Sequence, residues 1–270
     1  MKPSNSNTLF HYTKNFDALC GILENGFKPN YCRETFSDEA FCAIPMVSFC
    51  DVPLTRADSF IGENSYGKVA IGMSKEWGIR SGLNPMLYLP ESPNRTIQIQ
   101  KIILSLTKEL NKGSQPKGGF TGTTKQLIKH LQPIIKKNIQ YHYLRGLIKP
   151  YEITKSQGEK IIAYNDNEWR YLVMNDSNAE WYYNEDDYNK WRGEDGKPEL
   201  SVSPLTFLAN DVKYLVVEDE ENAEKMISYI ESLQKIGGNC ARMINQEQEL
   251  KAKKHLIRSI MTVKQISEDF

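Results

Sequence analysis

The chain has 270 residues, 40% of them hydrophobic, and its 34 basic side chains balance its 34 acidic ones to a formal net charge of zero. That size and apolar content support one large domain with a real core, and no apolar run approaches the ~18–20 residues of a membrane span. Five cysteines without a C-x-x-C pair argue against a disulfide framework or zinc ribbon. The N-terminus lacks a signal h-region, so the cytoplasm is the expected location.

Residues 9–13 read as a strand carrying His11. It runs into a helix whose Phe16, Leu19, Cys20 and Leu23 recur at i, i+3, i+4 and i+7, with Asn15 placed to cap it and Gly26 to supply a left-handed stop. His11 has two readings. One is a buried-strand histidine satisfied by a backbone carbonyl; the other is a strand-end side chain pointing into a cleft. Residues 46–50 form a second strand in which Val47 and Phe49 bracket Ser48, stopped by Asp51 and Pro53. Over 65–73, Tyr66 stands just before Gly67 and a β run, either as core packing or as a flat ring for a ligand. Ser74 to Trp77 begins a helix that ends near Gly82, and residues 85–89 are strand-like.

Residues 92–138 read as mostly helical, split by a loop over 113–123. Their second helix carries an apolar stripe of Leu127, Ile128, Leu131, Ile134 and Ile135, and Pro133 kinks it. Strands resume over 151–173. Alternation there puts Glu168, Arg170 and Leu172 on one face and Trp169, Tyr171 and Val173 on the other, with Glu168 leading the less apolar face. Glu168 is then either a surface group paired with Arg170 or a working carboxylate, since carboxylates are seldom buried otherwise. The acidic aromatic stretch 181–191 reads as an irregular loop, 212–217 as a strand and 220–233 as a helix. A charged amphipathic helix over 247–254 leads to a mixed segment at 258–263.

Charge is segregated along the chain. Residues 101–160 hold eleven Lys and one Arg against three Glu, a balance of +9, whereas residues 161–223 hold five basic and fifteen acidic side chains, a balance of −10. The basic stretch is interleaved with Phe120, Tyr141, His142, Tyr143 and Tyr151. Such a pattern suits a groove for single-stranded nucleic acid, where cations track phosphates and rings stack on bases. It suits equally a segment that neutralises the acidic one within the fold. The acidic segment could also dock a basic partner. Four histidines, His11, His130, His142 and His255, give metal ligation little support, and no phosphate-binding glycine motif precedes a helix.

In this order, His-Tyr-Thr on the first strand, FDALCGILENGFKP, MVSFCDVPL, YGKVAIGMSKEWGIRSGLNPMLYL and NEWRYL resemble the AbiGi family of abortive-infection proteins over roughly residues 8–175. That family is described as antitoxins of phage-resistance operons. The strand-one histidine, its L-x-x-I-L-x-x-G helix and the late glutamate are also similar to NAD-dependent ADP-ribosyltransferases of the DarT type. This second resemblance implies an α+β fold with a split mixed or antiparallel β-sheet core and flanking helices, ADP-ribosyltransferase-like. It would be one domain over 1–270 with a basic helical insertion at about 92–150. It implies an enzyme of a phage-defence toxin–antitoxin system that moves ADP-ribose from NAD to nucleic acid, RNA favoured over DNA, with a cognate antitoxin or chaperone as protein partner.

In that reading Glu168 holds the ribose 2′-hydroxyl and stabilises an oxocarbenium-like transition state. One carboxylate suffices, because the pyridinium leaving group of NAD is already cationic and needs no general acid, unlike the two-carboxylate case of ordinary glycosidases. His11 donates to the ribose, Tyr12 and Thr13 stand beside it, and Ser48 and Tyr66 complete the NAD site, with Tyr66 stacked on nicotinamide. The other reading is a non-catalytic antitoxin, a regulatory protein whose charged faces hold a partner. The two meet at one geometric requirement: the transferase needs His11 and Glu168 in the same crevice.

Overall fold

The computed structural model describes residues 6–35, 41–56, 60–61, 66–90, 143–144, 146–154, 160–173, 185–191, 200–240 and 245–269. The expected insertion at about 92–150 falls mainly outside the described residues, as do Phe120, Tyr141 and His142. The first half contains β1 (Thr8–Thr13), α1 (Phe16–Asn25), β2 (Asn30–Thr35), β3 (Phe41–Cys50), β4 (Val69–Ser74), α2 (Lys75–Arg80), β5 (Asn84–Pro85) and β6 (Leu87–Leu89). Farther along the chain come β7 (Ile148–Pro150), β8 (Glu152–Thr154), β9 (Lys160–Ile162), β10 (Glu168–Leu172) and α3 (Glu185–Lys190). The C-terminal part holds β11 (Val212–Val217), α4 (Glu220–Ser232), β12 (Lys235–Ile236), β13 (Asn239–Cys240), α5 (Gln246–Arg258), β14 (Ile260–Thr262) and α6 (Val263–Asp269).

Local chemistry sets several of these boundaries. The Asn15 side chain accepts from the Ala18 amide at 3.0 Å to start α1, and Gly26, at φ 81°, ends it with its amide on the Ile22 carbonyl. Ser74 caps α2 through Trp77, Asp219 caps α4 through Asn222, and Asn245 caps α5 through Gln248. Each satisfies a backbone donor that the first helical turn would leave unpaired.

Eight strands form one mixed sheet in the order β14-β11-β4-β1-β3-β10-β5, with β2 also paired to β3. The β11–β14 pair is parallel and the other neighbours are antiparallel. Because side chains alternate across a strand, the sheet has two distinct faces. On one, Leu9, Val47, Phe49, Ile71 and Leu215 pack with Leu19 and Leu23 of α1, Trp77 of α2, Met226 and Ile230 of α4 and Leu256 of α5. On the other, Phe10, Tyr12, Cys50, Ala70 and Val216 pack with Val52, Phe60 and Ile266 of α6. The α+β architecture with a mixed sheet and flanking helices is as the sequence implies.

One segment departs from expectation. The part of the acidic aromatic stretch that is described forms α3, not an irregular loop, and its Tyr188 is buried against Tyr31 of β2. No helix among the described residues is long and apolar enough to cross a membrane.

Candidate functional site

His11 lies on the helix-covered face. Its ring touches Phe27 and Phe49 at centroid distances of 5.2 and 5.5 Å, and its Nδ1–H donates to the Ser48 carbonyl at 2.8 Å. A carbonyl can only accept, so Nδ1 carries the proton. Burial holds the pKa below its usual 6.5 against the opposing effect of that hydrogen bond, and the imidazole is neutral. This is the backbone-satisfied strand histidine, the first of its two sequence readings.

Glu168 lies on the opposite face. The β3–β10 register pairs it with Cys50 and pairs Arg170 with Ser48, while Trp169 pairs with Phe49, beside His11. The β1–β3 register pairs Cys50 with Phe10. Glu168 therefore shares a face with Phe10 and Tyr12, and the sheet itself separates it from His11. The single crevice that the transferase reading required, with the two side chains meeting across it, is not present. The cause is strand parity: His11 is one residue from Phe10 and Tyr12, and a step of one crosses the sheet.

The Glu168 face is nonetheless chemically dense. Glu168 Oε1 accepts from Arg170 Nε at 2.6 Å, and Oε2 accepts from Lys149 Nζ at 2.8 Å and an Arg170 terminal nitrogen at 3.2 Å. Arg170, only 1% exposed, also donates to Glu34 at 2.5 Å and to the Gly146 carbonyl at 3.0 Å. The Glu168 amide donates to the Tyr88 hydroxyl at 2.8 Å. Lys149 lies 3.9 Å from Asp166, whose carboxylate accepts from the Tyr66 hydroxyl at 2.5 Å.

Burial by itself would raise the Glu168 pKa, but Arg170 and Lys149 outweigh it and hold the carboxyl well below the usual range. Burial raises the pKa of Asp166 despite Tyr66 and Lys149, and burial followed by the Asp166 contact pushes the Tyr66 hydroxyl up. Burial also pushes up the Cys50 thiol, with Asp166 and Glu168 adding to it, so Cys50 stays protonated and unreactive. Chemically, Glu168 is an ionised carboxylate whose two oxygens are already occupied by cations. Such a group is a weak base and has little capacity left for a sugar hydroxyl.

The remaining sequence candidates divide between the faces. Tyr12 packs with Phe60 and Tyr66, and Tyr66 is half exposed, stacked on Phe60. Ser48, opposite Arg170, donates to the Met46 sulfur at 3.5 Å. These three accompany Glu168. Thr13 alternates to the His11 side, and its carbonyl accepts from the Lys68 amide at 3.0 Å. Nothing in the sequence pattern marks Lys149, Glu34 or Tyr88, and the nearness of Asp166 to Glu168 along the chain is the one signal for Asp166. Lys149 belongs to the basic segment and its carboxylate partners to the acidic one, so at this point the two charge runs neutralise each other inside the fold. Of the aromatic residues of the basic stretch that are described, Tyr143 accepts from Asn84 and Tyr151 stacks on Tyr164.

The family model described as "Putative abortive phage resistance protein AbiGi, antitoxin" matches residues 25–218. A protein of Lactococcus lactis subsp. cremoris named "Abortive phage resistance protein AbiGi" is 25% identical over 246 residues, covering 84% of this chain and 89% of that protein. No solved structure matches the chain. These findings correct the expectation of an ADP-ribosyltransferase: the matching family is described as an antitoxin, which points away from an enzyme. With that reaction goes the reason for expecting NAD as its substrate. Matched by the family model over well over half of its length, the chain belongs to the AbiGi family of abortive phage resistance proteins.

Proposed function

We propose that this protein is a non-catalytic antitoxin of an abortive-infection system, which acts by binding and restraining a toxic protein partner. The observation that carries this reading is the state of Glu168. The carboxylate that a transferase would use is buried, ionised and bound by Arg170 and Lys149, and it lies across the sheet from His11. Charges arranged in this way tie segments together, and they occupy both oxygens of the carboxylate. The antitoxin description of the family supports the same reading.

The test is co-expression with the toxic protein of the same resistance system. Growth arrested by the toxic protein is expected to recover when this chain is supplied, and the two proteins are expected to co-elute from a sizing column. Growth arrest by this chain alone, or release of nicotinamide from NAD by the purified protein, would overturn the proposal.

A further inference from the structure

Away from the charged cluster, the turn before β11, the end of α4 and one flank of α5 enclose a groove of about 400 Å³. Its floor is apolar, formed by Leu208, Leu233, Ile236 and Ala252. Its rim is cationic: Lys235, Lys251 and Lys253 stand around it against a single carboxylate, Glu249. Lys253 is engaged with Glu249 at 2.8 Å and with the Glu231 carbonyl, and Lys235 reaches Asn25. Lys251 is exposed and makes no ion pair among the described residues.

Leu208 is the telling residue. It is 56% exposed, yet its backbone is clamped: the Leu208 amide donates to Asp211 Oδ2 at 2.9 Å, and the Asp211 amide returns to the Leu208 carbonyl. Asp211 is itself held by Arg80 at 2.8 Å, and the neighbouring Thr206 carbonyl accepts from the Trp77 indole. An exposed leucine on a turn fixed by an ion pair is an apolar contact whose ordering entropy is already spent.

The occupant follows from the chemistry of floor and rim. Small-molecule sites orient their ligand with a few fixed, convergent polar groups, whereas Lys251 is long and exposed, Lys235 and Lys253 are turned to partners in the protein, and Asn210, Gln234 and Gln248 are the other polar side chains of the lining besides Glu249. Single-stranded nucleic acid needs rings to stack its bases on, and the lining holds no aromatic side chain. An apolar centre edged by an excess of lysine over carboxylate, with Lys251 unpaired among the described residues, is the anatomy of a protein–protein contact with an acidic partner. Resting on the antitoxin reading, we infer that this groove is where the toxic partner docks, through a segment that offers aliphatic or aromatic side chains to Leu208 and carboxylates to Lys251.

The test measures the affinity of the purified toxic partner for wild type, Leu208→Asp, Leu208→Ala, Lys251→Glu and Lys254→Glu. Both Leu208 variants and Lys251→Glu are expected to weaken binding by about tenfold or more, the range of a hot-spot residue. Lys254→Glu, on the same helix but outside the groove, should stay within about threefold. Circular dichroism and thermal unfolding of each variant confirm that the fold is kept, which exposure of Leu208 and Lys251 favours. Binding that is tight in wild type and unchanged in all three groove variants would overturn the groove and leave the antitoxin reading standing. No binding of wild type to the toxic partner would overturn both.

Discussion

Arg170 is one of the most deeply buried side chains in the protein, and it holds Glu34, Glu168 and the Gly146 carbonyl together. Taking charges out of water is costly, and what offsets it here is the completeness of the pairing. Glu168→Gln should therefore be destabilising by about 3–5 kcal/mol, because it leaves Arg170 and Lys149 short of a counter-charge. Urea unfolding at pH 7 measures this, and Glu168→Gln combined with Arg170→Met should lose less than the sum of the two single changes. A Glu168→Gln protein as stable as wild type would show that the pairing is not structural. Sequence alternation puts Glu168 and Arg170 on one face and leaves open whether the pair is at the surface or buried. The structure buries it, with Glu168, Arg170 and Leu172 as the buried set of the strand. The neutralising partners Lys149 and Glu34 come from distant segments, and no local pattern announces them.

Helices were legible where a cap and a stop frame an apolar stripe, as Asn15 and Gly26 do for α1. Alternation around Ser48 marks only residues 46–50, whereas strand β3 extends from Phe41, its first half held by pairing with β2, where Pro45 sits opposite Tyr31. Helix α3 is not legible in a stretch whose composition favours a loop, and Tyr188 buried on Tyr31, a tertiary contact, holds it to β2. Gly67, which the sequence marks only as the glycine after Tyr66, serves close approach. A Cβ there would sit 2.2 Å from the Thr13 carbonyl oxygen, which is backbone and cannot swing away. Gly67→Ala should thus pry the start of β4 from the end of β1 and cost about 1–3 kcal/mol, read as a lower thermal midpoint. An unchanged midpoint would show that the β1–β4 junction yields freely.

At the scale of the whole molecule, the two faces should respond to acid at different pH. His11 is kept neutral in the fold with its pKa below 6.5, so its contribution to stability is full above pH 6.5 and is lost as pH falls from there toward the native value. Glu168 is kept ionised below the usual 4.5, so its contribution is full above about pH 4.5 and is lost as pH falls toward its native value. Each pH unit of separation between native and unfolded values is worth up to about 1.4 kcal/mol. The urea midpoint should decline in two stages between pH 7 and pH 3, and His11→Gln should remove the first stage alone. A single decline unaffected by that substitution would count against the buried neutral imidazole.

The partition of the sheet also confines the buried indoles among the described residues to one layer. Trp77 and Trp169 both belong to the layer under the helices, while the far side is furnished with Tyr12 and Tyr66, and the other described indole, Trp191, is largely in solvent. Loosening of the helices should thus move the emission of Trp77 and Trp169 toward the red, and replacing Trp181 and Trp191 by Phe leaves that signal alone. The phenol bands are shared between the faces, since Tyr171 and Tyr229 also pack under the helices, so the indoles are the reporters of that layer when a partner binds.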